Sequence, residues 1–146
     1  MIANTGITPE ERHRMIAETA YFLAQERGFT GGDPVSDWIE AERRVDQQLW
    51  ALATARLVER LESGVATAAQ KLGALKRRVS TLAASARTEL NVDVEKLDML
   101  KLALRSRLDE VKERGGQVSQ SALHQAEKVW TELSDALQRV TARTQH

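Results

Sequence analysis

Apolar residues recur along most of this chain at spacings of three and four. In the middle, Leu61, Val65, Ala68, Leu72, Leu75, Val79, Leu82 and Ala86 form an unbroken seam of this kind. A repeat of fours and threes marks a helix that buries one narrow face against another helix. Upstream, Val45, Leu49, Ala53 and Leu57 step by four, so the seam drifts around the helix there. No Pro follows Pro34. The pattern therefore predicts one helix from Val35 to Leu90, roughly 80 Å long at 1.5 Å per residue. Such a rod has no core of its own and needs a partner.

A shorter helix precedes it. Thr8-Pro9-Glu10-Glu11 supplies an N-cap hydroxyl, a Pro at the first helical position and Glu three residues after the cap. Ile16, Ala20 and Leu23 then share a stripe, with Ala17, Tyr21 and Ala24 beside it, and Gly28 is a natural stop. Asp33-Pro34 repeats the cap-and-Pro signature for the second helix. A loop this short forces the two helices together, with Trp38, Ile39, Ala41 and Val45 as the expected contacts of Tyr21 and Leu23.

The stretch from Ile7 to Glu42 resembles the domain of unknown function 2934 family, a short bacterial helical module. The resemblance is carried by Ala20, Tyr21, Leu23, Arg27-Gly28, Gly31-Gly32, Asp37-Trp38 and Ala41-Glu42. It covers about a quarter of the chain and implies a small helical head; the family has no established activity, so it implies no chemistry.

Asn91-Val92-Asp93-Val94 is the weakest helical stretch of the second half, with Asn91 able to close one helix and Asp93 to cap the next. Beyond it, Leu97, Leu100, Leu104, Leu108 and Val111 resume a stripe. Gly115-Gly116 is a candidate break with Ser119 or Ser121 to restart a helix, and the last helix carries Ala122, Ala126, Val129, Leu133, Ala136 and Val140. The segments on either side of Asn91 have similar lengths. Folding back there gives an antiparallel hairpin that sets Gly64 against Gly115-Gly116 and Trp50 beside Trp130, a consistent register. A continuous rod and a three-helix bundle broken at both Asn91 and Gly115 are the alternatives. The expected architecture is thus all-α: a head over residues 1–46 and an antiparallel coiled-coil hairpin over residues 47–146.

Composition fits helices: aromatic residues are 4% of the chain and Pro occurs twice. There is no Cys, so thiolate metal sites and thiol nucleophiles do not arise. The opening MIANTGITPEERH lacks the basic start and apolar run of a signal peptide, and a cytoplasmic location is expected. Net charge is zero but segregated. Residues 1–46 hold nine acidic and five basic side chains, and residues 47–90 hold three and seven.

Catalytic chemistry finds little support. The glycine-rich GFTGGDP at residues 28–34 has no Lys after its glycines, and Asp33 occupies the place an anion would take. His13, His124 and His146 are far apart; His124 with Glu127 is a lone pair in reversed order for a di-iron bundle. The carboxylates Glu40, Glu42, Asp109 and Glu110 sit among Arg and Lys, as on a solvated helix face. No cofactor and no metal are expected.

The expected function is a non-enzymatic interaction or scaffold protein that self-associates as a homodimer or higher oligomer. Its seam would comprise Leu57, Leu61, Val65, Leu72, Leu75, Val79, Leu82, Leu104, Leu108, Val111, Leu133 and Leu137, with Trp50 and Trp130 alongside. Trp50, Leu52, Leu57, Val58, Leu123, Trp130 and Leu137 are expected to stay partly exposed beside a two-helix hairpin. The alternative uses the basic stretch Lys71, Lys76, Arg77, Arg78 and Arg87, which has no acidic residue from Val65 to Thr88. It would contact an anionic surface, in the manner of granule-coating helical proteins, or nucleic acid.

Overall fold

A computed structural model of the chain describes residues 6–145. It contains α1 (Pro9–Glu26), α2 (Pro34–Ser80), α3 (Ala84–Arg114), a single 3-10 turn (Gly115–Gln117) and α4 (Gln120–Thr144). No strand occurs among the described residues, and the fold is all-α. The chain divides into two compact units, Met1–Arg56 and Leu57–His146. The division falls within α2, ten residues beyond the boundary expected at residue 46.

In the first unit, local chemistry sets the ends of the helices. The Thr8 hydroxyl accepts from the Glu11 amide at 3.1 Å, and Pro9 opens α1. Gly28 takes a left-handed φ of 66° and turns the chain out of α1. Asp33 Oδ1 accepts from the Val35 amide at 3.2 Å at the start of α2. Between the helices lie the buried Ile16, Ala41, Val45 and Leu49, with Ile7, Met15, Ala20, Leu23 and Trp38 packed around them. Tyr21 and Ile39, expected in this contact, are exposed instead. Ala20 and Leu23 turn the inner face of α1 towards α2, which leaves Tyr21 on its flank.

In the second unit, the seam of α2 is buried from Leu57 through Leu61, Val65, Ala68, Leu72, Leu75 and Val79. It meets Leu90, Val94, Leu97, Leu104, Leu108 and Val111 of α3, and Leu123, Ala126, Leu133, Leu137 and Val140 of α4, in a three-helix bundle. Two ion pairs between α2 and α3, Lys76–Asp98 and Glu62–Lys112, join residues whose numbers sum to 174 and show that these helices run antiparallel. Arg143–Asp93 does the same for α4 and α3.

The turn expected near Asn91 is not there. Asn91 lies inside α3, and the chain reverses at residues 81–83. The cause is a cluster of hydroxyls that close the last turn of α2. Ser80 Oγ donates to the Arg77 carbonyl at 2.6 Å, and Thr81 Oγ1 donates to the Arg78 carbonyl at 2.7 Å. The Thr81 and Leu82 amides bond three residues back, tightening the end of the helix. Leu82 is half-buried in the turn, and Ala86, the last seam position, already belongs to α3. The break at Gly115-Gly116 does occur: Gly115 closes α3 with a φ of 54°, and the Ser119 hydroxyl accepts from the Ala122 amide to start α4. Three helices replace the two-helix hairpin because reversals at both places bring all three apolar seams together.

Gly64 and Trp130 are repaired in the same way. Gly64 does not face Gly115-Gly116. The indole of Trp130 lies over it, so close that a Cβ there would stand 2.7 Å from the ring. Trp50 belongs to the first unit and Trp130 to the second. Leu57, Leu123 and Leu137, expected to stay partly exposed beside a hairpin, are each no more than 6% exposed, because a third helix covers them.

Candidate interaction surfaces

In the first unit, ion pairs fasten the helices around the small core. Arg12 grips Asp46 with two hydrogen bonds of 2.9 Å and also reaches Glu42 at 3.4 Å. The Asp46 hydrogen bond raises the Arg12 pKa above its ordinary value, with Glu42 adding to it. Arg27, at the end of α1, holds Asp37 in the first turn of α2 at 2.5 Å. Gly32 has a φ of 68°, and a Cβ at that position would strike the Arg27 guanidinium. The Arg27-Gly28, Gly31-Gly32 and Asp37 elements are therefore one device, a loop that seats an ion pair across the corner.

What this unit leaves outside is aromatic. Tyr21, Phe22 and Phe29 are exposed, and the Tyr21 ring sits 5.8 Å from Phe22 and 5.6 Å from Phe29. Phe29 is held at a φ of 60°, an uncommon conformation for a bulky residue. Val35 and Ile39 are exposed on α2. Among the described residues His13 joins no metal-binding group, and its ring packs against Trp38 with centroids 5.0 Å apart.

In the second unit, the basic stretch is split rather than gathered. Lys71 and Arg78, seven residues apart, line an open groove between α2 and α4 of about 890 Å³. Its walls include Ala68, Ala74, Leu75, Ser134, Leu137 and Thr141, with Trp130 and Gly64 among them, and among the described residues no carboxylate side chain lines it. Arg78 Nε donates to the Thr144 carbonyl at 2.7 Å, while Lys71 has no ion pair among the described residues. Lys76 is paired with Asp98, whose pKa its hydrogen bond lowers. Arg77 is exposed near Gly73, and Arg87 is exposed on α3.

Residues 11–47 match the family described as "Protein of unknown function (DUF2934)". The N-terminal helical segment is similar to this family over these residues. The matched residues contain the Arg27–Asp37 corner, the core from Ile16 to Val45 and the exposed aromatic cluster. No curated protein and no solved structure matches the chain.

The seam residues proposed as an interaction surface are mostly consumed inside the chain. Leu57, Leu61, Val65, Leu72, Leu75, Val79, Leu104, Leu108, Val111, Leu133 and Leu137 are buried, and Leu82, Trp50 and Trp130 are half-buried. The outward apolar residues of the bundle were missed. On α3, Val92, Met99 and Leu102 are 51%, 70% and 61% exposed. The signal for them was a second apolar line on α3, offset from the line through Leu97, Leu104 and Leu108.

Carboxylate and histidine chemistry stays dispersed. Glu40 accepts from Arg43 and Arg44, and these hydrogen bonds, Arg43's first, hold its carboxyl down to about 2. A proton donor working near neutral pH needs the opposite displacement. Among the described residues no three His, Cys, Asp or Glu side chains are placed to hold a metal ion. His124 is exposed on α4, and His146 lies outside the described residues. No helix among the described residues is long and apolar enough to cross a membrane.

Proposed function

We propose that this is a non-enzymatic cytoplasmic protein that self-associates through helical faces and serves as an interaction or scaffold module. One observation carries the reading. Val92, Met99 and Leu102 remain outside a bundle whose own seams are already filled. Apolar side chains gathered on one helix face are costly to leave in water and mark an association surface. The exposed aromatic face of the DUF2934-like segment adds a second such feature. Light scattering after size-exclusion chromatography, from micromolar to millimolar protein, tests the reading. A mass rising to at least twice the 16.3 kDa of one chain supports it. A mass that stays at one chain throughout overturns it.

A second reading draws on the groove between α2 and α4, which Lys71 and Arg78 line with no carboxylate side chain among the described residues. There the protein would coat an anionic surface or associate with nucleic acid. Replacing Lys71 and Arg78 by Glu should abolish co-sedimentation with anionic vesicles and low-salt gel retardation of DNA. Wild-type protein that does neither removes this reading.

A further inference from the structure

The self-association reading leaves open which face joins two copies, and α3 supplies a specific answer. Val92 and Met99 lie seven residues apart and so point the same way, with Leu102 three residues further on at the edge of that face. Met99 is the most exposed of the large hydrophobic side chains in the described chain, at 70%. The opposite face of α3 is fully used, by Leu90, Val94, Leu97, Leu104, Leu108 and Val111.

The charges beside this stripe have an order that a two-fold axis would exploit. Glu89 and Arg107 are eighteen residues apart, about five full helical turns, so they stand on the same flank of the stripe. Their midpoint falls one residue from Met99. Glu89 has no ion pair among the described residues, and Arg107 reaches only Glu110, at 3.9 Å one turn away. When a helix pairs antiparallel with its own copy, residues on one flank meet the same flank of the partner, reversed end for end.

We infer that the outward face of α3 pairs antiparallel with the same face of a second copy, about a two-fold axis passing at Met99. This rests on the self-association reading and names its surface. In this register Met99 packs on Met99 of the second copy, and Val92 on the small Ser106. Leu102 covers the methylenes of Glu95, which shares its flank one heptad earlier. Arg107 of each copy stands two residues, about 3 Å, from the level of Glu89 of the other, an offset its long side chain spans, giving two reciprocal ion pairs at the ends of the apolar patch. Opposite charges placed this way fix register and direction. A parallel arrangement would leave Glu89 of one copy and Arg107 of the other about 27 Å apart along the helices, with neither ion pair formed. Three large side chains from each copy make a small interface, so the dimer is weak and concentration-dependent.

The chain has no Cys, so one introduced cysteine reports position without background. Facing residues on the axis come close enough for a disulfide, and Met99→Cys should oxidise to a covalent dimer about tenfold faster than Ser121→Cys on α4. Sedimentation equilibrium of the charge variants tests the register. E89R alone and R107E alone should each weaken the dimer about tenfold, and the double variant should recover most of the loss. Helical circular dichroism should be unchanged in all of them, since each side chain is exposed. Equal oxidation rates, or a double variant no tighter than the singles, overturn the α3 pairing; if wild-type protein still associates, self-association survives through another face. Wild-type protein that remains a single chain at every concentration overturns both.

Discussion

The two units of this molecule reach a helical fold by different means. In the first, the buried cluster between the helices is Ile16, Ala41, Val45 and Leu49 among the described residues, while most of the aromatic side chains stay on the surface. Turn chemistry and ion pairs do much of the positioning there, through Thr8, Gly28, Asp33, Arg27–Asp37 and Arg12–Asp46. In the second, long aliphatic seams on three helices meet, and the polar contacts lie around the rim. A short module can be specified by a few placed polar groups, whereas a bundle is specified by periodicity. The contrast also leaves different apolar groups exposed: an aromatic cluster on one unit and an α3 stripe on the other.

The largest expected effect is in the bundle. Leu104 is fully buried, and Leu104→Ala should cost about 3 kcal/mol in chemical denaturation through lost burial and a residual cavity. Asp37→Asn strikes the first unit in its own currency of polar contacts. It leaves the Arg27 guanidinium without its carboxylate in a partly buried corner and should cost about 1–2 kcal/mol. That loss should appear as faster amide exchange in α1, with the bundle unchanged. If Asp37→Asn costs nothing, the claim that ion pairs position this unit is wrong.

Two glycines of α2 sharpen the picture with opposite signs. Gly64→Ala pushes a methyl into the Trp130 ring, and overpacking should outweigh the gain in helix propensity, for a net cost of about 1 kcal/mol. Gly73→Ala meets only the far end of Arg77 at 3.8 Å and should stabilise by about 0.5–1 kcal/mol. Thermal melts of the two variants should therefore move in opposite directions.

The smallest effect concerns pH. Asp98 has its pKa lowered by the Lys76 hydrogen bond, so its contribution is present above the unfolded carboxylate pKa of about 3.9 and is lost as pH falls through the lower folded value. Asp98→Asn should be less stable than wild type at neutral pH, and the difference should close in acid. A gap that persists below the carboxylate range would mean that Asp98 acts by packing instead.

Sequence made some of this plain. Thr8-Pro9 and Asp33-Pro34 announce their helices because few other arrangements satisfy a Pro and an orphaned N–H together. The seam from Leu61 to Val79 is legible because burial on one helix face imposes a period. The reversal at residues 81–83 was hidden: Ser80 and Thr81 are common inside helices, and the heptads run on through Leu82 and Ala86. Asn91 drew the turn by propensity, which tertiary packing of Val94 and Leu97 overrides. The α3 stripe was obscured for a related reason. That helix carries apolar residues on two faces, and periodicity does not say whether Leu97 or Met99 points inward.

The most direct test of the two-unit account is hydrogen exchange along α2, which is one continuous helix from Pro34 to Ser80. Amides in its first part, packed with α1, should exchange through a lower-energy opening than amides from Leu61 to Val79, held by the bundle. Measured in rising denaturant, the two parts should show separate opening free energies, with a step near the division after Arg56. A single uniform opening energy along the whole of α2 would contradict the account.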